Sequence, residues 1–354
     1  MINRLSVLRN SLTLAIVIVL GSLIVGSASA VAVTPSLLYR KALTSEAKYS
    51  YVGRQFITNY GDDGRSMSYV TQVTHMAPDR FKIVYEAPQQ DFDRVIIRCN
   101  KEQWTYLPKG SLLIHSEGMM PLSAKQQAAK YALLKHNYYL ILDSTTTRIA
   151  DRKVFKLSIT PHNANESVVK LWIDPDTGIV MRKEQYHSDG ALDTVMYFSD
   201  LSLVKKVNPS AFDISSLAHR RLKIVEQHNP SEIVVRRANV AAYLGRSAPV
   251  PEFFGGFELQ SLTVLHQPHG WTVHLRYSDG LVSLSLFESK RPSKQASTVP
   301  QSRLVQLCPH RNGHAIQRYS YNLLNWDNSN YNFTLVGDEK LKTLTEFSRS
   351  IASD

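Results

Sequence analysis

The sequence predicts an α+β fold in two parts: a large antiparallel meander with two helices, then a smaller mixed domain. Three observations carry this. Alternating runs rich in aromatic and β-branched residues recur from Tyr49 onward, each closed by a Gly, Pro, Asn or Asp turn. Helical periodicity is confined to residues 35–47, 123–137 and a stretch after Asp338. A chain of 354 residues exceeds most single domains. The boundaries read as 31–213 for the large domain, 214–250 for a linker and 251–354 for the small domain.

The first 30 residues read as an export signal. Arg4 and Arg9 form a basic start. Leu12 to Val25 is apolar except for Thr13, Gly21 and Ser22, and Ala28-Ser29-Ala30 supplies a small-x-small cleavage pattern. The run is short of the roughly 20 apolar residues a membrane span needs. The expectation is a mature chain starting near Val31, outside the cytoplasm; an uncleaved N-terminal anchor is the other reading.

Thr34-Pro35 marks a helix start, with Leu38 and Ala42 on one face. Strands follow at Tyr49–Tyr60, closed by the turn Gly61-Asp62-Asp63-Gly64, and at Ser66–Met76. Phe81, Ile83 and Tyr85 alternate with Arg80, Lys82 and Val84, and Pro88 ends that strand. Val95–Arg98, Gln103–Leu107 and Leu112–His115 come next. Ser123 with Gln126 forms a capping box for the second helix, whose apolar stripe is Ala124, Ala128, Tyr131 and Leu134. Strands resume at Tyr138–Leu142, Thr147–Ala150, Val154–Thr160 and Val168–Ile173. The turn Asp174-Pro175-Asp176-Thr177-Gly178 leads into Val180–His187, and Leu192–Leu203 closes the meander. The linker has no clear period, though Ile233–Val235 reads as a strand at its centre. The small domain offers Phe257–His266, Trp271–Tyr277, Leu281–Glu288, Gln301–Leu307, Gln317–Leu323 and Asn332–Val336. A closing helix carries Leu341, Leu344, Phe347 and Ile351 along one face.

Lys and Arg number 41 against 30 Asp and Glu, a formal charge of +11. That excess suits a membrane surface, an acidic protein or nucleic acid, and export argues against nucleic acid. Two Cys exclude a disulfide-built scaffold. Cys99 and Cys308 either bridge the two domains or stay separate thiols. Cys308, His310 and His314 have metal-ligand spacing, but Pro309 and Gly313 place them on a loop that fixes no convergence. The expectation is therefore no metal and no cofactor. The Gly-x-Ser-x-Gly elbow, the His-Glu-x-x-His helix and the phosphate-binding loop are all missing, so a binding protein is expected rather than an enzyme.

Several segments resemble known families. Ala77-Pro78-Asp79-Arg80-Phe81-Lys82-Ile83, the pattern at Trp104-Thr105-Tyr106-Leu107-Pro108, and Leu171-Trp172-Ile173-Asp174-Pro175-Asp176-Thr177-Gly178 continuing to Arg182-Lys183-Glu184 resemble LolA-type lipoprotein carriers. Thr147-Arg148-Ile149-Ala150-Asp151-Arg152, Tyr277-Ser278-Asp279-Gly280-Leu281 and Val336-Gly337-Asp338 resemble the RseB/MucB family of periplasmic sigma-factor regulators. The resemblance implies a half-open barrel with helices against its concave side, plus a small mixed domain. It implies a protein that binds the periplasmic part of a membrane anti-sigma factor and shields it from proteolysis. Lipid, lipopolysaccharide or lipoprotein acyl chains are implied as the releasing signal.

On that reading the concave face holds acyl chains, lined by Phe81, Ile83, Tyr85, Val95, Ile97, Trp104 and Tyr106 and closed by Tyr131 and Leu134. The alternative for each is a dry core. Arg220, Arg221, Arg236 and Arg237 in the linker are the expected contacts for an acidic partner or anionic headgroups. The competing function is a periplasmic carrier of lipoproteins or lipids, and self-association stays open.

Overall fold

The computed structural model describes residues 33–61, 64–118, 123–162, 167–187, 189–217, 222–227, 232–246, 251–267, 270–291, 302–317 and 321–352. The expected export signal, Arg220, Arg221 and the polar loop Pro292–Pro300 lie outside the described residues. Among the described residues no helix is long and apolar enough to cross a membrane.

Helix α1 (Pro35–Thr44) starts where Thr34 accepts a hydrogen bond from the Leu37 N–H at 3.2 Å, with proline in the first turn. Strands β1 (Tyr51–Tyr60), β2 (Ser66–Met76), β3 (Arg80–Ala87), β4 (Val95–Cys99), β5 (Glu102–Leu107) and β6 (Leu112–Glu117) follow as neighbours. Helix α2 (Ala124–Asn137) begins with the expected capping box. The Gln126 N–H donates to Ser123 Oγ at 3.3 Å, and the Ser123 N–H donates to Gln126 Oε1 at 2.9 Å. Next come β7 (Tyr138–Ile149), β8 (Arg152–Pro161), β9 (Val168–Ile173), β10 (Val180–Tyr186) and β11 (Leu192–Leu203). Two expected strands are the single strand β7. A register shift between Leu142 and Thr146 accommodates the polar Asp143–Thr145 step, where Asp143 accepts from the Thr145 N–H at 3.0 Å.

The linker is built into both sheets. Strand β12 (Lys223–Gln227) pairs parallel with β6, and β13 (Glu232–Val234) pairs antiparallel with β15 (Phe257–Gln267). Between β13 and β15 lie α3 (Ala241–Leu244) and β14 (Phe253–Phe254), which pairs with β15. The remaining elements are β16 (Gly270–Ser278), β17 (Ser283–Lys290), β18 (Arg303–Cys308), β19 (Arg311–Gln317), β20 (Asn322–Asp327), β21 (Tyr331–Gly337) and α4 (Leu341–Ala352). Two expectations fail here. Residues 311–317 are a strand rather than a loop, and β20 lies later than Gln317–Leu323. Gly313 is the reason: a Cβ there would meet the Leu324 side chain at 2.9 Å, so the glycine admits a close strand neighbour instead of marking a turn.

The described chain thus has a twelve-stranded open sheet ordered β12-β6-β5-β4-β3-β2-β1-β11-β10-β9-β8-β7 and a nine-stranded second sheet. The second sheet buries Val264, Leu275, Leu286, Leu335 and Phe347 of α4 in its own core. The two sheets meet where the end of α2 faces the β16–β17 turn. Asn137 Nδ2 donates to the Asp279 and Gly256 carbonyls at 2.9 and 3.0 Å, and the Tyr138 hydroxyl donates to the Asp279 carboxylate at 2.5 Å. Leu281 packs into the cores of both sheets. Farther along, Ser167 donates to Glu339 at 3.1 Å, and Lys340 pairs with Asp189.

Candidate functional site

Strand register decides which predicted lining residues can meet. Directly opposed residues in a β-ladder point to the same face. Ile83 opposes Ile96 and Val84 opposes Val95, so β3 and β4 share faces in that pairing. Phe81, Ile83 and Tyr85 therefore lie on one face with Ile96 and Arg98. Val95 and Ile97 lie on the other, with Tyr106 and Trp104 opposite them on β5. The seven strand residues do not line one concavity. Alternation within a strand was legible in the sequence, but the phase of β4 against β3 was not.

The second-face group packs into a core of its own, with Trp104 half-buried against it. Val95, Ile97 and Tyr106 are buried and pack with Leu113, Phe212 and Leu217. Short 3-10 turns at Pro209–Phe212 and Ile214–Leu217 supply the cover. Trp104 stacks on His115 at 3.9 Å, and His115 Nδ1 meets Glu226 of β12 at 2.7 Å.

The first face is continuous across the sheet. Leu171 opposes Lys183, Lys183 opposes Met196, Met196 opposes Ile57, and Ile57 opposes Tyr69. Thr71, two residues beyond Tyr69, opposes Tyr85. Tyr131 and Leu134 of α2 pack on this same face, over β7, β8 and β9 with Leu157, Ile159 and Leu171. Leu134 is fully buried there, and Tyr131 stacks on Tyr39 of α1 at 5.9 Å. Burial pushes the Tyr39 hydroxyl up to about 12, with Tyr131 and Asp279 adding to the rise. Phe81 packs in a neighbouring cluster with Tyr51, Val73, Phe198 and Leu201, and Ile83 lies against it. His75 is enclosed there, its Nδ1 at 2.9 Å from the Arg80 carbonyl and its Nε2 at 2.7 Å from that of Glu46.

Beyond that core, the first face carries a half-buried apolar row of Ile57, Met67, Tyr69, Ile83, Tyr85 and Ile96. Tyr69 and Tyr85 meet edge to face at 5.7 Å. Two guanidinium groups rim the row: Arg94 over Tyr85 at 4.9 Å and Arg98 over Phe81 at 4.4 Å. Sequence reasoning missed Arg94, Ile96 and Arg98 because it took the opposite phase of β4. An open cleft of about 540 Å³ lies near the end of β3, lined by Arg54, Gln72, Val84, Tyr85, Glu86, Phe92 and Asp93. Arg54 pairs with Glu86 across it at 2.7 Å.

Of the linker arginines described, Arg236 and Arg237 are exposed directly after β13, whose Ile233 and Val234 are also exposed. Farther on, Arg246 pairs with the fully buried Glu288 at 2.5 Å and stacks on Tyr331 at 4.1 Å. Burial raises the Glu288 carboxyl, although Arg246 opposes the rise. Cys99 and Cys308 are free thiols on different sheets, and burial raises that of Cys99. Among the described residues no group of three His, Cys, Asp or Glu side chains could hold a metal ion.

Residues 44–216 match the MucB/RseB N-terminal domain family. A search of the curated proteins gives no match. The Pseudomonas aeruginosa MucA/MucB complex contains a chain that aligns over 89% of this one and 96% of its own length, at 14% identity and TM-score 0.56. MucB crystallised with MucA(peri) aligns over 89% and 97%, at 15% identity and TM-score 0.56. A LolA-superfamily protein from Nitrosomonas europaea aligns over 52% of this chain and all of its own, at 16% identity and TM-score 0.28.

Proposed function

Because residues 44–216 carry its N-terminal domain, this chain belongs to the MucB/RseB family; from that premise we propose that it has a LolA-like large domain and is a periplasmic negative regulator of an extracytoplasmic-function sigma factor. It acts by binding the periplasmic part of a membrane anti-sigma factor. The observation that carries this reading is the two-sheet fold, shared over 89% of the chain with MucB solved in complex with MucA. The exposed Arg236 and Arg237, with Arg220 and Arg221 nearby in sequence, suit an acidic stretch of that partner. Their effect falls more on association rate and salt dependence than on final affinity. The role is binding rather than turnover.

Lipid sensing is the finer part of the proposal. A half-barrel with α1 and α2 on its concave side turns the first face into a trough. The row from Ile57 to Ile96 would take an acyl chain, each buried methylene contributing about 0.8 kcal/mol. Arg94 and Arg98 would meet an anionic headgroup at the rim. A lipoprotein carrier needs the trough alone. The second sheet, held to the first through Asp279 and Leu281, favours a regulator whose lipid and protein sites are coupled.

The test is crosslinking of the exported protein in its own cells, then purification and mass spectrometry. A single-span membrane protein encoded with a sigma factor is the expected partner. Lipid-modified proteins without any such partner would overturn the regulator reading in favour of the carrier. For the lipid site, an acyl-chain fluorophore is expected to bind the purified protein and to be lost on Tyr85→Lys; unchanged binding would remove the row from the site.

A further inference from the structure

We infer that the free edge of β7 over Tyr138–Leu142 is a docking site for an extended polypeptide segment that alternates apolar residues and carries acidic residues at its end. This goes beyond the function proposed above and stands without it.

Strand β7 is the terminal strand of the large sheet, so among the described residues one side of its backbone has no strand neighbour. Folded proteins normally blunt such an edge with lysine, proline, a bulge or an inward charge. Tyr138-Tyr139-Leu140-Ile141-Leu142 has no charged residue and no proline, and its bulge comes only after Leu142. Tyr138, Leu140 and Leu142 point into the core shared with α1 and α2. Tyr139 and Ile141 point the other way and are 60% and 54% exposed. Their cross-strand neighbours, Thr160 and Ser158, are small and leave both side chains uncovered, although Tyr139 touches the His162 ring at 4.1 Å. The segment therefore offers main-chain hydrogen bonding along one side and two apolar side chains at the two-residue spacing of a strand. Those are the two components of recognition by strand addition.

Charge selects the occupant. Lys135 and His136 are exposed in the last turn of α2, immediately before the strand. The first acid beyond the apolar segment, Asp143, is engaged by Lys156 at 2.9 Å and by Thr145. An acidic end on the incoming segment meets the exposed Lys135 charge, whereas a basic end is repelled. A second copy of this edge would bring Lys135 and His136 of each chain to the same sheet, with no excess of acid to offset them.

The test uses the full mature protein and two fluorescent synthetic peptides of alternating valine and threonine, one ending in two glutamates and the other in two lysines. Binding is followed by fluorescence anisotropy at low salt. The glutamate peptide is expected to bind about 10-fold more tightly than the lysine peptide. Ile141→Glu and Tyr139→Glu are each expected to weaken it by about 10-fold while leaving the near-UV circular dichroism unchanged, since both side chains are solvent-exposed. Equal affinity for the two peptides, no binding of either, or equal binding by wild type and both variants would overturn the proposal. Sedimentation supplies a further arm: a dimer that Ile141→Glu dissociates would assign the edge to a second copy and overturn the stated occupant.

Discussion

Asp174 shows how much one side chain in a turn can carry. Its carboxylate accepts the Asp176 N–H at 2.8 Å, the Thr177 hydroxyl at 2.9 Å and Arg152 Nε at 2.6 Å. Burial pushes its pKa up, but these hydrogen bonds and the Arg152 charge outweigh burial and hold it below the usual carboxylate value. A depressed folded-state pKa adds stability that is present above the unfolded value and lost as pH falls through the folded one. Asp174→Ala is therefore expected to cost about 3 kcal/mol at neutral pH, on the scale of hydrogen bonds to a charged group. Urea unfolding at several pH values checks this: the gap between variant and wild type should close in acid, below the usual range for aspartate. The same motif was legible in the sequence as a tight turn. Its second task was not, because Gly178 packs against α1, where a Cβ would meet the Lys41 carbonyl at 2.5 Å. That contact joins residues far apart in sequence, and nothing local encodes it.

At the scale of elements, local chemistry was readable and pairing was not. The capping box of α2 and the proline start of α1 stand where Ser123, Gln126 and Thr34-Pro35 placed them. Ser123→Ala is expected to cost about 1 kcal/mol, seen as a lower urea midpoint with unchanged slope. The alternation of β3 and the spans of β2, β9 and β11 could also be read off, since a half-buried strand writes its period into the sequence. Phase between strands is different. One residue of register moves a whole side-chain set to the other face. The sequence reading grouped Phe81 with Val95 and Ile97 as one lining, and the register separates them. Strand β12 was hidden because all its side chains are exposed, so it carries no burial period. Strand β19 was hidden because Gly313 reads as a turn until its close neighbour Leu324 is known.

Across the whole molecule, the narrow seam between the sheets is where substitutions should be felt most widely. Gly280 has φ +96°, and a Cβ there would lie 2.3 Å from the Leu134 backbone nitrogen. Gly280→Ala combines a left-handed backbone strain of about 1–3 kcal/mol with a backbone clash that can be relieved only by moving α2. The expected result is a lower thermal midpoint, with a separate early transition as the sheets lose contact, measured by calorimetry. A single transition at the wild-type midpoint would count against the seam as the coupling point. The centre of the large sheet has a different consequence, in the order of assembly. Its two runs of neighbouring strands, β1 to β6 and β7 to β11, each form from hairpins close in sequence. They are joined by β1 lying against β11, as in Tyr51 opposite Leu203. Closing that long loop costs entropy before its contacts form, and such pairings slow folding. In pulse-labelled hydrogen exchange the β1–β11 amides should gain protection last, after both hairpin runs. Until then, each half presents an unpaired inner edge, and a newly made chain must be kept from pairing there with another copy.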